Sequence, residues 1–262
     1  MKKTLLFIII SILSVEIYAQ NSDATSDKNN TSVVFINGIN NTFDDATMSQ
    51  IALKNVIKQQ RQNYTVNLAF NKKEGFLKDI KQVVSQKFKL EDNRQFWKII
   101  DNFGDIQNAS LIGQETYQKY VDELKNDKNL LPEIEDHLKQ YDQDIVDGKK
   151  VVLVPHSQGN FYANASMNLM LANSKRARNQ LFTVGLASPA DRLLPNSSYI
   201  TSSNDMLINS VRLVSPSTLK SNIRIPFSLY DVVGHSFNDT YLRKGDGQKA
   251  VLKNIITYGD AS

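Results

Sequence analysis

Ser157 is the residue of this chain whose setting points most directly to covalent chemistry. It stands in Val151-Val152-Leu153-Val154-Pro155-His156-Ser157-Gln158-Gly159-Asn160, where a continuous apolar run meets an apolar helical stretch. A serine at the tip of a buried strand, with a glycine two positions on, predicts a sharp strand-to-helix turn. Such a turn strains the serine backbone and lifts its hydroxyl above the sheet. The glycine is needed because strand and helix approach closely there. The helix that follows aims its first N–H groups and positive dipole end at charge developing on a substrate.

A serine hydroxyl is a poor nucleophile until a base draws off its proton and a third group orients that base. The chain has three histidines and no cysteine, so the bases can be enumerated and thiol chemistry is excluded. His137 lies upstream among Glu133, Glu135 and Asp136 and reads as solvated helix surface. His156 adjoins Ser157, and neighbouring side chains on a strand point to opposite faces. His235 remains, in Val232-Val233-Gly234-His235-Ser236-Phe237, a loop after the last strands. For the acid, Asp205 follows the strand-like Tyr199-Ile200-Thr201, and Asp191 follows an earlier strand in Ala187-Ser188-Pro189-Ala190-Asp191. Asp231, four residues before His235, reads as facing solvent or capping a turn.

The elements that must position these groups alternate between strand and helix, which predicts a mainly parallel sheet covered on both faces. Strands are expected at Ser32–Ile36, Tyr64–Phe70, Lys150–Val154, Leu181–Leu186 and Ser198–Thr201. Apolar residues at helical spacing mark residues 44–61, 75–89 (Phe76, Leu77, Ile80, Val83, Val84, Phe88) and 131–145, with Gly148 placed to end the last. Further helices are expected over about 158–173 and 247–258. About 80 residues separate the second strand from Lys150, more than one crossover needs. Part of that span, about 91–128, holds Trp97 beside Phe96, Ile99, Ile100 and Phe103. A helical lid over a substrate pocket and ordinary helix packing outside the sheet both fit it.

With the elbow and this element order in view, the chain resembles the α/β-hydrolase superfamily, particularly its bacterial lipase and esterase branch. His156-Ser157-Gln158-Gly159 is a frequent core of that family's nucleophile elbow, although Pro155 stands where the usual pattern has its first glycine. The resemblance implies an α/β-hydrolase-type, mainly parallel sheet with helices on both faces, and the chain order serine, acid, histidine. It implies Ser157 as nucleophile, His235 as base and Asp205 as acid, with Asp191 the alternative acid. It also implies an oxyanion hole built from the N–H of Gln158 and one just after the first central strand. In Phe35-Ile36-Asn37-Gly38-Ile39-Asn40-Asn41 that second donor is Ile39, Asn37 replacing the family's histidine.

Composition narrows the rest. Lys2 and Lys3, the apolar run Leu5–Val15 and Ile17-Tyr18-Ala19 have the layout of a signal peptide over residues 1–19. Export to the periplasm or beyond is therefore expected, with a polar disordered tether over 20–31 and one domain over 32–262. The missing cysteine also excludes disulfides, cysteine zinc sites and a lipidated-cysteine anchor. A formal net charge of +4 is mild and indicates no nucleic-acid partner. The short basic cluster Lys175-Arg176-Arg178 reads as a solvated loop, peripheral contact with anionic lipid being the other reading. No phosphate-cradling glycine motif is present, and no cofactor or metal is expected. The expected activity is hydrolysis of carboxylic esters, including lipid esters, through an acyl-serine. Thioester or acyl-transfer chemistry on the same residues, and a non-catalytic binding protein, are the rivals.

Overall fold

The computed structural model describes residues 31–38, 41–71, 127–214 and 216–261. The signal-peptide segment, the helix expected over 75–89, most of the lid segment at 91–128 and the predicted oxyanion donor Ile39 lie outside the described residues.

Five strands form one all-parallel sheet: β1 (Thr31–Ile36), β2 (Thr65–Ala69), β3 (Lys150–Pro155), β4 (Leu181–Leu186) and β5 (Ser197–Ile200). Their spatial order is β2-β1-β3-β4-β5. The helices are α1 (Phe43–Lys58), α2 (Asp127–Val146), α3 (Gly159–Asn173), the single turn α4 (Ala177–Gln180), α5 (Met206–Val214) and α6 (Asp246–Gly259). The chain winds outward from β1 to β2, returns across β1 to β3, and continues through β4 to β5. With right-handed connections, that reversal of direction sends helices to opposite faces of the sheet.

The core follows this division. Val33, Phe35, Val152, Val154 and Val184 pack against Leu53 and Ile57 of α1 and Val251, Leu252 and Ile255 of α6. Val34, Ile36, Val151 and Leu153 pack on the other face against Ile134, Tyr141 and Ile145 of α2 and Phe161, Tyr162 and Met167 of α3. Alternate residues of one strand thus enter different cores, which is why Val33–Ile36 of β1 and Val151–Val154 of β3 are continuous apolar runs. Each fully buried side chain of this kind contributes about 1.5–3 kcal/mol.

The strands expected at 181–186 and 150–154 are present, the latter extended by Pro155. Thr31, assigned to the tether by sequence, is instead the first residue of β1 and fully buried. α5 is absent from the sequence expectation, which left Asp205 in a plain loop. Gly148 does end α2, at φ +79.

His137 is not solvated surface: it is 4% exposed and its Nε2 lies 3.3 Å from the Phe70 carbonyl oxygen. The helical period explains this. His137 shares the inner stripe of Ile134 and Tyr141, whereas Glu135 and Asp136 pair with Lys139 on the outer face. Lys175, Arg176 and Arg178 are exposed ahead of β4, at the sheet edge where strands begin.

Candidate active site

The opposite edge, where the strands end, holds the chemistry. β1 and β3 are neighbours whose connections run to opposite sides in the strand order, β1 to β2 and β3 to β4, which makes their carboxyl ends the topological switch point of the sheet. Ser157 stands at that point, directly after β3.

Its turn is built by backbone bonds to both neighbouring strands. His156 N–H donates to Ile36 O of β1 at 3.0 Å, and Ser157 N–H to Leu186 O of β4 at 3.0 Å. Ser157 has φ +54, a left-handed conformation that costs a non-glycine residue about 1–3 kcal/mol. The buried Asn160 side chain secures the turn, donating to Ser157 O at 2.8 Å and Leu186 O at 3.0 Å. Gly159 passes so near β1 that a Cβ there would meet Ile36 O at 2.6 Å and Asn37 O at 2.9 Å. Strand β3, tied on both sides, and the apolar cores outweigh the strain.

Ser157 Oγ lies 3.0 Å from His235 Nε2. His235 Nδ1 lies 3.0 and 2.9 Å from the two carboxylate oxygens of Asp205. A carboxylate only accepts, so Nδ1 carries the imidazole proton and Nε2 presents its lone pair to the serine hydroxyl. The three predicted residues are therefore brought together, from positions 157, 205 and 235, into one hydrogen-bonded line. Asp205 is fully buried, and the His235 side chain is 17% exposed.

Asp205 is held more firmly than a loop residue. It caps α5, accepting from Ile208 N at 2.9 Å, while Tyr241 Oη donates to its other oxygen at 2.7 Å. Tyr241 Oη accepts in turn from Ser202 N at 3.1 Å. Burial, then the charge of Asp205, raises the Tyr241 pKa, which keeps the phenol a donor. Asp191, the alternative carboxylate, does not meet His235. It lies in the loop after β4 with its carboxylate 3.7 Å from Arg192, while Asp205 occupies His235 Nδ1.

The His235 loop is organised by Asp231. Its carboxylate accepts from Val233 N at 3.2 Å, Gly234 N at 3.0 Å, Ser236 N at 2.6 Å and Thr240 Oγ1 at 2.6 Å. The turn-capping reading of Asp231 is thus the structural one. The loop docks beside Asp205 through Met206 N donating to Val233 O at 2.9 Å. Gly234, at φ +68, packs so closely that a Cβ would meet Asn204 O at 2.5 Å.

His156 is not remote from the site, as strand alternation alone implies. The left-handed backbone of Ser157 breaks the alternation, and the His156 ring lies 4.9 Å from that of His235. Its Nε2–H donates to the His235 main-chain oxygen at 2.8 Å.

The turn after β1 is clasped to the end of β2. Asn71 N donates to Asn37 Oδ1 at 2.7 Å and Asn71 Nδ2 to Asn37 O at 2.8 Å. Gly38 then passes close to Ser157, where a Cβ would stand 2.9 Å from Ser157 Cβ. Gln158, the other predicted oxyanion donor, is buried at the start of α3 directly after Ser157.

No family model, curated protein or solved structure matches the chain. Its chemistry must be read from its own atoms. A hydroxyl hydrogen-bonded to an imidazole, itself anchored by a buried carboxylate, can lose its proton as it attacks an electrophilic carbon. Among the described residues no group of three or more His, Asp or Glu side chains could hold a metal ion. Sequence reasoning missed Tyr241, His156, Asn160 and the Asn37–Asn71 clasp. The one available signal was Asp205 preceding Met206, Ile208 and Val211, an N-cap residue before a helical apolar pattern.

Proposed function

We propose that this chain is an exported serine hydrolase of the α/β-hydrolase type that cleaves carboxylic esters through an acyl-serine. The observation that carries the reading is the continuous line Ser157 Oγ, His235 Nε2, His235 Nδ1, Asp205, with spacings of 3.0 Å and 2.9 Å. It starts on a strained elbow at the sheet's switch point, the edge of an open parallel sheet where ligands generally bind.

In the proposed cycle, Ser157 Oγ bonds to the ester carbonyl carbon as its proton passes to His235 Nε2. Asp205 stabilises the imidazolium. The oxyanion takes the N–H of Gln158 and that of Ile39, the residue that follows Gly38 in sequence. The proton then goes from His235 to the leaving alkoxide as the C–O bond breaks. Water repeats the sequence: its proton goes to His235, its oxygen to the acyl carbon, and Ser157 recovers its proton as the acid leaves.

Four exposed apolar side chains precede the base: Phe227 (51%), Leu229 (96%), Tyr230 (86%) and Val232 (66%). They favour a substrate with an apolar acyl or alcohol part, lipid esters included, and contact with a lipid surface at this edge rather than through the distant basic cluster.

A fluorophosphonate should label the protein at Ser157, and Ser157→Ala should abolish labelling and ester turnover together. Turnover that survives this substitution sinks the mechanism. With p-nitrophenyl esters of graded length, kcat/KM should rise from acetate to medium chains, by up to about 0.8 kcal/mol per buried methylene. A preference for acetate would remove the apolar-substrate part of the reading and leave the chemistry standing.

A further inference from the structure

We propose that His156 is a positioning residue for the base, and that its Nε2–H bond to the His235 carbonyl oxygen sets the distance between imidazole and serine hydroxyl. This rests on the proposed serine hydrolysis.

The His235 loop is fixed from two sides. Asp231 gathers the main-chain N–H groups of Val233, Gly234 and Ser236, which curl the loop but belong to the loop itself. The His156 bond at 2.8 Å ties the His235 main chain to the sheet. His156 is a rigid post. Its N–H bonds to β1 and the residue forms a bridge with Leu186 of β4. Its ring is walled by Phe237 at 5.7 Å and Tyr241 at 5.9 Å.

Nucleophile and base therefore hang from consecutive residues, 157 through its own backbone and 156 through its side chain. Any movement of β3 carries both together, so the 3.0 Å contact survives motions of the sheet. Burial first, and the nearby His235 second, lower the His156 pKa to about 3. The ring thus stays neutral, a donor to the carbonyl that adds no positive charge beneath the imidazolium formed during reaction. A misplacement of about 1 Å between reacting groups costs on the order of 100-fold in rate, so the bond has a measurable consequence.

The test pairs His156→Met with His156→Gln, two unbranched side chains of similar volume of which only glutamine keeps a donor at the right reach. Active sites are counted by fluorophosphonate titration, so misfolded protein does not enter kcat. Met should lower kcat on a p-nitrophenyl ester about 10- to 100-fold with KM within about twofold. Gln should recover kcat to within about fivefold of the parent. Equal losses in the two variants, a loss expressed only in the number of titratable sites, or an unchanged kcat in the Met variant would each reduce His156 to packing. A parent that does not label at Ser157 instead overturns the hydrolase reading, and this inference falls with it.

Discussion

The elbow around Ser157 and the loop around His235 solve the same problem, holding one side chain to within tenths of an ångström, by different means. The elbow is made mainly of backbone, closed by the one Asn160 side chain. Its hydrogen bonds run to β1 and β4, its close contact is Gly159 against main-chain oxygens, and both cores lie beneath it. The His235 loop is held mainly by side chains: Asp231 within the loop and His156 bind its main chain, Asp205 meets the imidazole, and Met206 N to Val233 O adds a backbone tie. A backbone scaffold shared with the sheet cannot yield without disturbing the fold. A side-chain scaffold can, because the loop contributes little to the core beyond Phe237 and Tyr241. Damage to the elbow should therefore register in stability, and damage to the base loop in rate.

The largest effect should come from Asp205→Asn, which keeps shape but removes the charge that fixes the imidazole tautomer. We expect kcat to fall roughly 10³- to 10⁴-fold, and a loss below tenfold in steady-state assays would show that Asp205 is not the acid. Two glycines then sharpen the contrast. Gly234→Ala places a Cβ 2.5 Å from Asn204 O at a positive φ, and the loop can swing away to relieve it. Its kcat should drop on the order of 100-fold, while the melting temperature moves by only a few degrees.

Gly159→Ala puts its Cβ 2.6 Å from Ile36 O, where neither strand nor helix has room to retreat. It should cost about 1–3 kcal/mol of stability, visible in thermal melts as a larger drop than for Gly234→Ala. The reverse order of melting temperatures would break the comparison. Tyr241→Phe should be mildest. It removes two hydrogen bonds, to Asp205 and from Ser202 N, but Asp205 keeps Ile208 N–H and His235, so losing the one bond to the carboxylate, about 1 kcal/mol, should lower kcat by tenfold or less. A 1000-fold loss would mean the phenol touches the reaction itself.

How far the sequence carried these conclusions depended on range. Apolar runs and the Ser157–Gly159 turn are local signals, since the steric demands of a buried parallel strand and a tight turn fall within a few residues. They place β1, β3, β4 and the nucleophile. His235 emerged because three histidines leave little to choose among, not because any pattern marked its loop. The carboxylates were ambiguous for a related reason. Asp191, Asp205 and Asp231 each stand in a loop, and nothing within a few residues says which loop faces the imidazole. Charged neighbours misled at His137, because three flanking acidic residues share its stretch of chain but not all share its side of the helix.

By itself the sequence determined the alternation of strands and helices, the strained serine, the absence of thiol chemistry and a short roster of bases and acids. Those depend on residue type and short spacing, which are written along the chain. The tertiary structure alone decided that Asp205 rather than Asp191 meets His235, that Asp231 curls the His235 loop, that Tyr241 holds Asp205 and that His156 lies against His235. Each of these joins distant parts of the chain or turns on a loop's exact path. Such contacts exist only once β3, α5 and the final loop have packed on one sheet, because hydrogen bonds reach about 3 Å and no local pattern states which partners will come within it.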